Sequence, residues 1–504
     1  MRADVMCETM KQKSYIAIFA AAFSFLSRLV ISEPFLSEGS INCSLNDGKC
    51  PEEWPCCSPY GVCGSGPTCV GGCNPQFSFN DMSCLPSPIL IPYDMLSFKS
   101  EDSAVERLTA GNLHKSKYIL RAESRLKEKE LELQKNKIIH YTNYLITNSS
   151  DQAREMLIDY KFVHSGLTQI DRDTGNIQLT MPKRSTGSLI ATTKSFLYGK
   201  ISVNMTTARS GGVITALVLM SAVGDELDFE FVGSELNSVQ TNHYFQGELD
   251  YTKMKKHSIE QDTWRNYHTY ELSWSEQQVD WMIDGQIIRT LYKNNTWDNE
   301  LNVYKYPESP MRLEVAIWPG GSEKNEIGTI MWAGGLVDWD NAPDMLEKGY
   351  FAVNIQSISI ETSANRHMPR IYHCLTTKSG KDINELLSED LKKVYFTYNS
   401  TKNPNYNEDS LEWDCVDDIY LPSMRSSGLH SNRSKGKLLD DSQSWNKEDD
   451  REQLNSDDEI DIEEWYRSCS TQSKPKRESS QGYSRLNYSR TFVITLIILI
   501  AIII

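Results

Sequence analysis

Gly224-Asp225-Glu226-Leu227-Asp228-Phe229-Glu230-Phe231 is the stretch on which the reading of this 504-residue chain turns. In an extended strand alternate residues share a face. Glu226, Asp228 and Glu230 then project from one side, and Leu227, Phe229 and Phe231 enter a core. Three carboxylates on one face repel one another, which a purely structural strand avoids. A solvated edge strand would tolerate them, but the apolar run Val213 to Met220 just ahead argues for a central strand. Such a row suits glycoside chemistry, in which a nucleophilic carboxylate and a protonated acid stand about 5–5.5 Å apart in retaining enzymes. The α-carbons of residues i and i+4 lie roughly 13 Å apart on a strand, so the two long glutamates must lean inward. The shorter aspartate between them can hydrogen-bond either one and hold their proton affinities apart.

Around this stretch, residues 159–375 keep a period of two. Ile201, Val203 and Met205 alternate with polar neighbours. Val279, Trp281 and Ile283 do the same and run into Asp284-Gly285, a hairpin signal. Val353, Ile355, Ser357 and Ser359 alternate with Asn354, Gln356, Ile358 and Ile360. Glycine pairs recur at Gly211-Gly212, Gly320-Gly321 and Gly334-Gly335. Many short strands with frequent turns predict one β-sandwich or barrel. A second carboxylate row, Asp458-Glu459-Ile460-Asp461-Ile462-Glu463, serves as a control. Nothing upstream of it could form a core, so it reads as a coincidence of acidic composition.

The ends of the chain point to an oxidising compartment. Lys11 and Lys13 precede an apolar run from Tyr15 to Leu26, so residues 1–32 read as a secretory signal. Eight of twelve cysteines fall between Cys43 and Cys84, a disulfide-rich module over residues 40–85. A zinc site is the alternative, but no histidine lies within the block. Seven Asn-x-Ser/Thr acceptors, at Asn42, Asn148, Asn204, Asn294, Asn399, Asn432 and Asn487, fit a secreted glycoprotein. Residues 86–158 read as a charged helical spacer and residues 376–422 as a small extension, closed if Cys374 pairs with Cys415. Residues 423–490 read as a disordered acidic tail. The segment Asp440 to Glu464 carries twelve acids and two bases of a chain whose net charge is −16. That balance argues against a nucleic-acid partner. The apolar stretch within residues 491–504 falls short of the ~20 residues of a spanning helix and fits the signal for a lipid (GPI) anchor. His243 and His268 belong to no cluster with metal spacing, so neither a metal nor a cofactor is expected.

Gly211-Gly212-Val213-Ile214 followed by Asp225-Glu226-Leu227-Asp228-Phe229-Glu230 resembles the catalytic strand of glycoside hydrolase family 16. The likeness is to its fungal Crh branch, the cell-wall chitin–glucan transglycosylases, and extends to members acting in spore-wall assembly. Tyr198-Gly199-Lys200, Gln240-Thr241-Asn242, Trp281 with Asp284-Gly285, Ala316-Ile317-Trp318 and Gly328-Thr329-Ile330-Met331-Trp332-Ala333-Gly334-Gly335 carry it further. The resemblance implies a curved β-jelly roll with a sugar cleft. It implies Glu226 as nucleophile, Glu230 as general acid/base and Asp228 as their helper, with Trp318, Trp332 and Asn242 binding substrate. Met331 stands where the family pattern has an acid.

Cys43, Cys50, Cys56, Cys57, Cys63, Cys69, Cys73 and Cys84, with Ser58-Pro59-Tyr60-Gly61-Val62-Cys63-Gly64 among them, resemble a hevein-type chitin-binding module. The likeness implies disulfides and a sugar face containing Ser58 and Tyr60. Val62 and Thr68 stand where that family has two further aromatics. The implied activity is a retaining glycosidase/transglycosylase that cuts chitin and transfers the chain to β-glucan or chitin. A hydrolytic endo-β-glucanase and a catalytically silent wall protein are the alternatives. The only membrane contact expected is the lipid anchor.

Overall fold

The computed structural model describes residues 41–59, 61–65, 69, 73–80, 83–84, 86–91, 95–100, 133–140, 160–382 and 394–415. The signal segment, Tyr60, Thr68, the acidic tail with its second carboxylate row and the apolar end lie outside the described residues. Two β-sheets pack face to face as a jelly roll. The first runs Lys255–Ser258, Ser238–Tyr244, Glu226–Val232, Val213–Ser221 and Met311–Pro319, all antiparallel. The carboxylate strand is therefore central. The second runs Gln286–Tyr292, Gln278–Ile283, His268–Trp274, Gly199–Thr206, Tyr350–Thr362, Ile177–Pro182 and Leu167–Ile170.

The alternation read in the sequence sorts side chains between the sheets and the outside. Leu217, Leu227 and Phe229 from the first sheet meet Ile201, Val203, Tyr270 and Trp281 from the second, all fully buried. The Phe229 and Phe231 rings contact Tyr270 edge-on at 5.7 and 4.7 Å. Truncating a phenylalanine so placed costs about 3–5 kcal/mol. The Asp284-Gly285 turn joins Gln278–Ile283 to Gln286–Tyr292, and both residues have positive φ, 49° and 78°. That is what a two-residue hairpin with the native strand twist requires.

The strand Tyr350–Thr362 departs from simple alternation for a physical reason. Its register against Gly199–Thr206 shifts between Asn204 and Met205, which pair with Ser357 and Ile355 and leave Gln356 unpaired. This bulge moves the inward set from Val353 and Ile355 to Ile358 and Ile360, as one extra residue must.

Two boundaries need correction. Residues 86–158 are expected to be a helical spacer; 92–94, 101–132 and 141–158 lie outside the described residues and 133–135 are helical, but Ser87–Leu90, Met95–Lys99 and Ile138–His140 are strands of the two sheets. Ile89, Leu96, Phe98 and Ile138 are buried there, so burial overrides the charged composition nearby. The extension is also part of the domain. Tyr395–Tyr398 pairs with Leu411–Asp414 and with Ser87–Leu90, and a Cys374–Cys415 disulfide ties it to the helix Met368–Ser379.

The N-terminal module is held by Cys43–Cys57, Cys50–Cys63, Cys56–Cys69 and Cys73–Cys84. The close sulfurs of Cys43, Cys50 and Cys57 are thus all in disulfides rather than free thiolates. Among the described residues no helix is long and apolar enough to cross a membrane.

Candidate active site

The site is built across the outer face of the first sheet. Glu226, Asp228 and Glu230 face Met220, Val218 and Ala216 on one neighbouring strand. On the other they face Tyr244, Asn242 and Gln240. One strand further, Arg312, Glu314, Ala316 and Trp318 continue the same rows. The two ends of the carboxylate row therefore have different neighbours. The Glu226 end is ringed by Tyr244 and the Arg312–Glu314 ion pair (2.5 Å). The Glu230 end is ringed by Gln240 and the tryptophans.

Trp318 is only 3% exposed, its ring stacked on Trp332 with centroids 6.0 Å apart. Trp332, whose indole Nε1 donates to Gln240 Oε1 at 2.8 Å, offers the accessible ring, and Trp318 backs it. The three glycine pairs explain how the helix Ile327–Trp332 reaches this place. They converge, and a Cβ on Gly212, itself at φ +79°, would lie 2.6 Å from Val337 N. Only glycines let these loops close on one another.

Beneath the row the backbone is fixed from the far sheet. Trp281, fully buried, donates through Nε1 to the carbonyl of Asp228 at 2.9 Å. The Arg289 guanidinium lies 4.7 Å over the Trp281 ring and donates to Thr241 O at 2.7 Å and Lys253 O at 3.0 Å. Asp225, at the head of the strand, accepts from Gln246 N, Glu308 N, Ser309 N and Ser309 Oγ. The carboxylates themselves are poorly served. Asp228 Oδ1 is buried with no hydrogen-bond partner among the described residues.

The sequence model of Glycosyl hydrolases family 16 matches residues 158–334. "Probable glycosidase CRR1" of Saccharomyces cerevisiae is 45% identical over 390 residues, 76% of this chain and 92% of that one. "Crh-like protein UTR2" of Candida albicans is 35% identical over 336 residues, 67% of this chain and 62% of that one. The chain belongs to the Crh-like branch of glycosyl hydrolase family 16. It is an enzyme of the glycoside hydrolase and transglycosylase class. A solved structure titled "Apo Crh5 transglycosylase" aligns at 26% identity and TM-score 0.39, covering 50% of this chain and 88% of that one.

In this family 16 chain, burial sets the electrostatics of the row. Glu226 is held well above the usual carboxylate range by burial, then by the charges of Asp228, Glu230 and Glu314. Burial and Asp228 push Glu230 the same way. Asp228 is raised to about 7 by burial, against the pull of the Asn242 backbone and Arg289. Three such groups cannot all ionise at neutral pH, so the row retains a proton.

Sequence reasoning missed several members. Tyr244 stands opposite Glu226, and burial followed by the charges of Asp228, Glu226 and Glu230 raises its phenol, keeping it a proton-bearing donor. Tyr251, edge-on to Tyr244 at 6.3 Å, is 54% exposed on the rim. Arg312 and Glu314 sit in an alternating strand, Met311–Pro319, whose polar positions were the available signal. Asn242 is buried beside Asp228 with its Oδ1 accepting from His243 N. His243 accepts from Arg289, and burial and that cation lower it to about 3; His268 pairs with Asp284 at 2.7 Å.

In the cysteine module Ser58 is buried and its Oγ accepts from Val62 N at 3.1 Å. Val62 is itself 3% exposed. An aromatic at position 62 would enter the module's interior, not its surface. Of the glycosylation acceptors, Asn42 and Asn294 are exposed. Asn204 is mid-strand with its amide donated to Thr269 Oγ1 at 3.0 Å, which withdraws it from modification in the folded protein.

Proposed function

We propose that this chain is a retaining transglycosylase that cuts chitin and passes the new end to β-glucan or to another chitin chain. The observation that carries the reading is a row of three carboxylates on a central strand, Glu226 and Asp228 buried and Glu230 half-buried, facing outward and short of partners. Burial without pairing is costly, and catalysis is what such a cost serves.

Glu230 donates its proton to the departing glycosidic oxygen while Glu226 attacks the anomeric carbon. A covalent glycosyl–enzyme forms and the leaving chain departs with a new hydroxyl. Glu230, now a carboxylate, takes the proton from an acceptor sugar hydroxyl, whose oxygen displaces Glu226. Asp228 lies between the two and holds their proton affinities apart. Trp332, backed by Trp318, supplies a ring for a sugar to stack on, and Gln240 and Asn242 polar contacts beside it. The cysteine module would retain the enzyme on chitin through Tyr60.

The setting that fits is the cell surface or wall, including a spore wall, with residues 1–32 directing export and residues 491–504 replaced by a lipid anchor. The acceptor motifs other than Asn204, and the disulfides, support that route. Incubation of the secreted enzyme with chitin and labelled glucan oligosaccharides tests it. Label joined to chitin is the expected product. Release of reducing ends without joining would identify a hydrolase instead.

A further inference from the structure

A second groove lies outside the catalytic row. Two adjoining cavities of about 300 and 530 Å³ share Phe245, Val303 and Asn405, each within the ~300–1,000 Å³ usual for ligand sites. Phe245 follows Tyr244, which pairs with Glu226, so the groove starts past the Glu226 end of the row. Three parts of the chain wall it: the cysteine module through Gln76 and Phe77, the turn carrying Trp297 and Tyr304, and the extension through Asn405 and Asn407.

These walls are tied together at one residue. Gln246 accepts from Gln76 Nε2 at 2.9 Å, donates through Nε2 to the Asn405 carbonyl, and donates its backbone N–H to Asp225. The groove is thus a built feature of the module, the domain and the extension jointly.

Its chemistry is that of a neutral ligand. All its charged lining residues except Lys49 are ion-paired within the protein: Lys293 with Glu308, Arg366 with Glu408 and Asp409, and Glu248 with Lys305. What remains is aromatic surface and amide. Trp297 is 43% exposed, packed edge-on to Tyr304 at 4.8 Å and oriented by its Nε1 donating to Asn299 Oδ1 at 3.0 Å. Asn405 is exposed, with no hydrogen bond from its side-chain amide among the described residues. Ring faces with amides beside them suit a chain of uncharged sugars, whose apolar faces stack and whose hydroxyls need donors and acceptors.

We infer that this groove, formed between the cysteine module and the catalytic domain, binds a strand of neutral polysaccharide at a position distinct from the reacting bond. A second hold on the polymer would keep the enzyme on its insoluble substrate between turnovers, through effective concentration rather than tighter cleft contacts.

The test uses the full secreted chain carrying Glu226→Gln, so that turnover is not read. Retention on insoluble chitin and on insoluble β-glucan is measured in separate arms, with Trp297→Ala and Asn405→Ala added singly. The expected result is an affinity loss of about five- to tenfold for Trp297→Ala in at least one arm, the scale of one lost aromatic contact. A smaller loss for Asn405→Ala should appear in the same arm, with unfolding midpoints unchanged. The arm that responds identifies the polymer. Retention equal to the parent for both variants in both arms overturns the proposal, and Asn405→Ala alone decides if Trp297→Ala fails to fold. Because catalysis is silent throughout, failure here leaves the transfer reaction of the cleft untouched.

Discussion

Glu226 and Glu408 are two buried glutamates of one domain, 8% and 4% exposed, treated in opposite ways. Glu408 is met by Arg366 Nη2 at 2.8 Å, with His367 Nε2 3.6 Å from its other oxygen. Burial raises its proton affinity, but these partners outweigh burial and the net shift is downward. Glu226 has no such cation among the described residues. Burial and three neighbouring acids all push it upward. Burial alone does not mark a functional acid; burial without a partner does. On the function proposed above, Glu408 serves stability and Glu226 chemistry, and each half of that proposal can be broken.

The largest effect expected is on turnover. Glu226→Gln and Glu230→Gln should each lower transglycosylation by about 10³-fold or more, on the scale of losing a nucleophile or general acid/base. Asp228→Asn should cost less. The same glutamine variants should unfold at a higher temperature than the parent at pH 7, because folding there must either desolvate each carboxylate or protonate it, and glutamine, of the same size, does neither. A gain of about 1–2 kcal/mol would raise the midpoint by roughly 2–4 °C per kcal/mol. Calorimetry alongside product analysis checks both halves, and a variant that is inactive but less stable would show the row to be structural.

Glu408→Gln should do the reverse to stability. Arg366 is half exposed and can turn to water, so the cost is expected near 1–3 kcal/mol, below that of breaking a fully buried pair. An unchanged midpoint would refute the reading of this pair.

These two outcomes also show what the sequence could disclose. The row was legible because alternation and charge clash lie within eight consecutive residues, and the apolar run before it supplied the core. The Cys374–Cys415 closure was legible from the oxidising compartment alone. What surrounds the row was not. Tyr244, Arg312 and Glu314 reach it only through pairing across three strands, and Arg289 acts through Trp281 from the other sheet. Long-range register of this kind is absent from any local window. The strands within residues 86–158 were masked by charge: Ile138–His140 is three residues long and follows a lysine-rich run.

The pH dependence of stability separates the two acids more finely. For Glu226 the folded protein binds its proton more tightly than the unfolded chain. Its contribution is most favourable below about pH 4, the unfolded value, and is lost as pH rises through the folded value. The stability advantage of Glu226→Gln should therefore vanish near pH 4 and grow toward neutrality. For Glu408 the folded value is depressed, so its contribution is complete above the unfolded value and lost as pH falls through the folded one. The deficit of Glu408→Gln should persist above about pH 5.5 through the Arg366 pair and shrink as pH falls toward about 4, opposite in sign to the Glu226→Gln difference. Parallel curves for the two variants over that window would remove the distinction drawn here.

The smallest expected effect is none. Asp458-Glu459-Ile460-Asp461-Ile462-Glu463 repeats the long-short-long order of Glu226, Asp228 and Glu230 at the same spacing. Spacing alone cannot tell the two apart. A carboxylate is useful only when something holds it, and the 15 residues from Ser442 to Ser456 include few apolar side chains to build a wall. By contrast, Val213 to Met220 supplies the strand against which Glu226–Val232 pairs. Glu459→Gln with Glu463→Gln should leave transfer within about twofold of the parent, the scale of substitutions that remove no named interaction. If that double variant were inactive while Glu226→Gln kept its activity, burial on a central strand would no longer be the property that makes three acids a site.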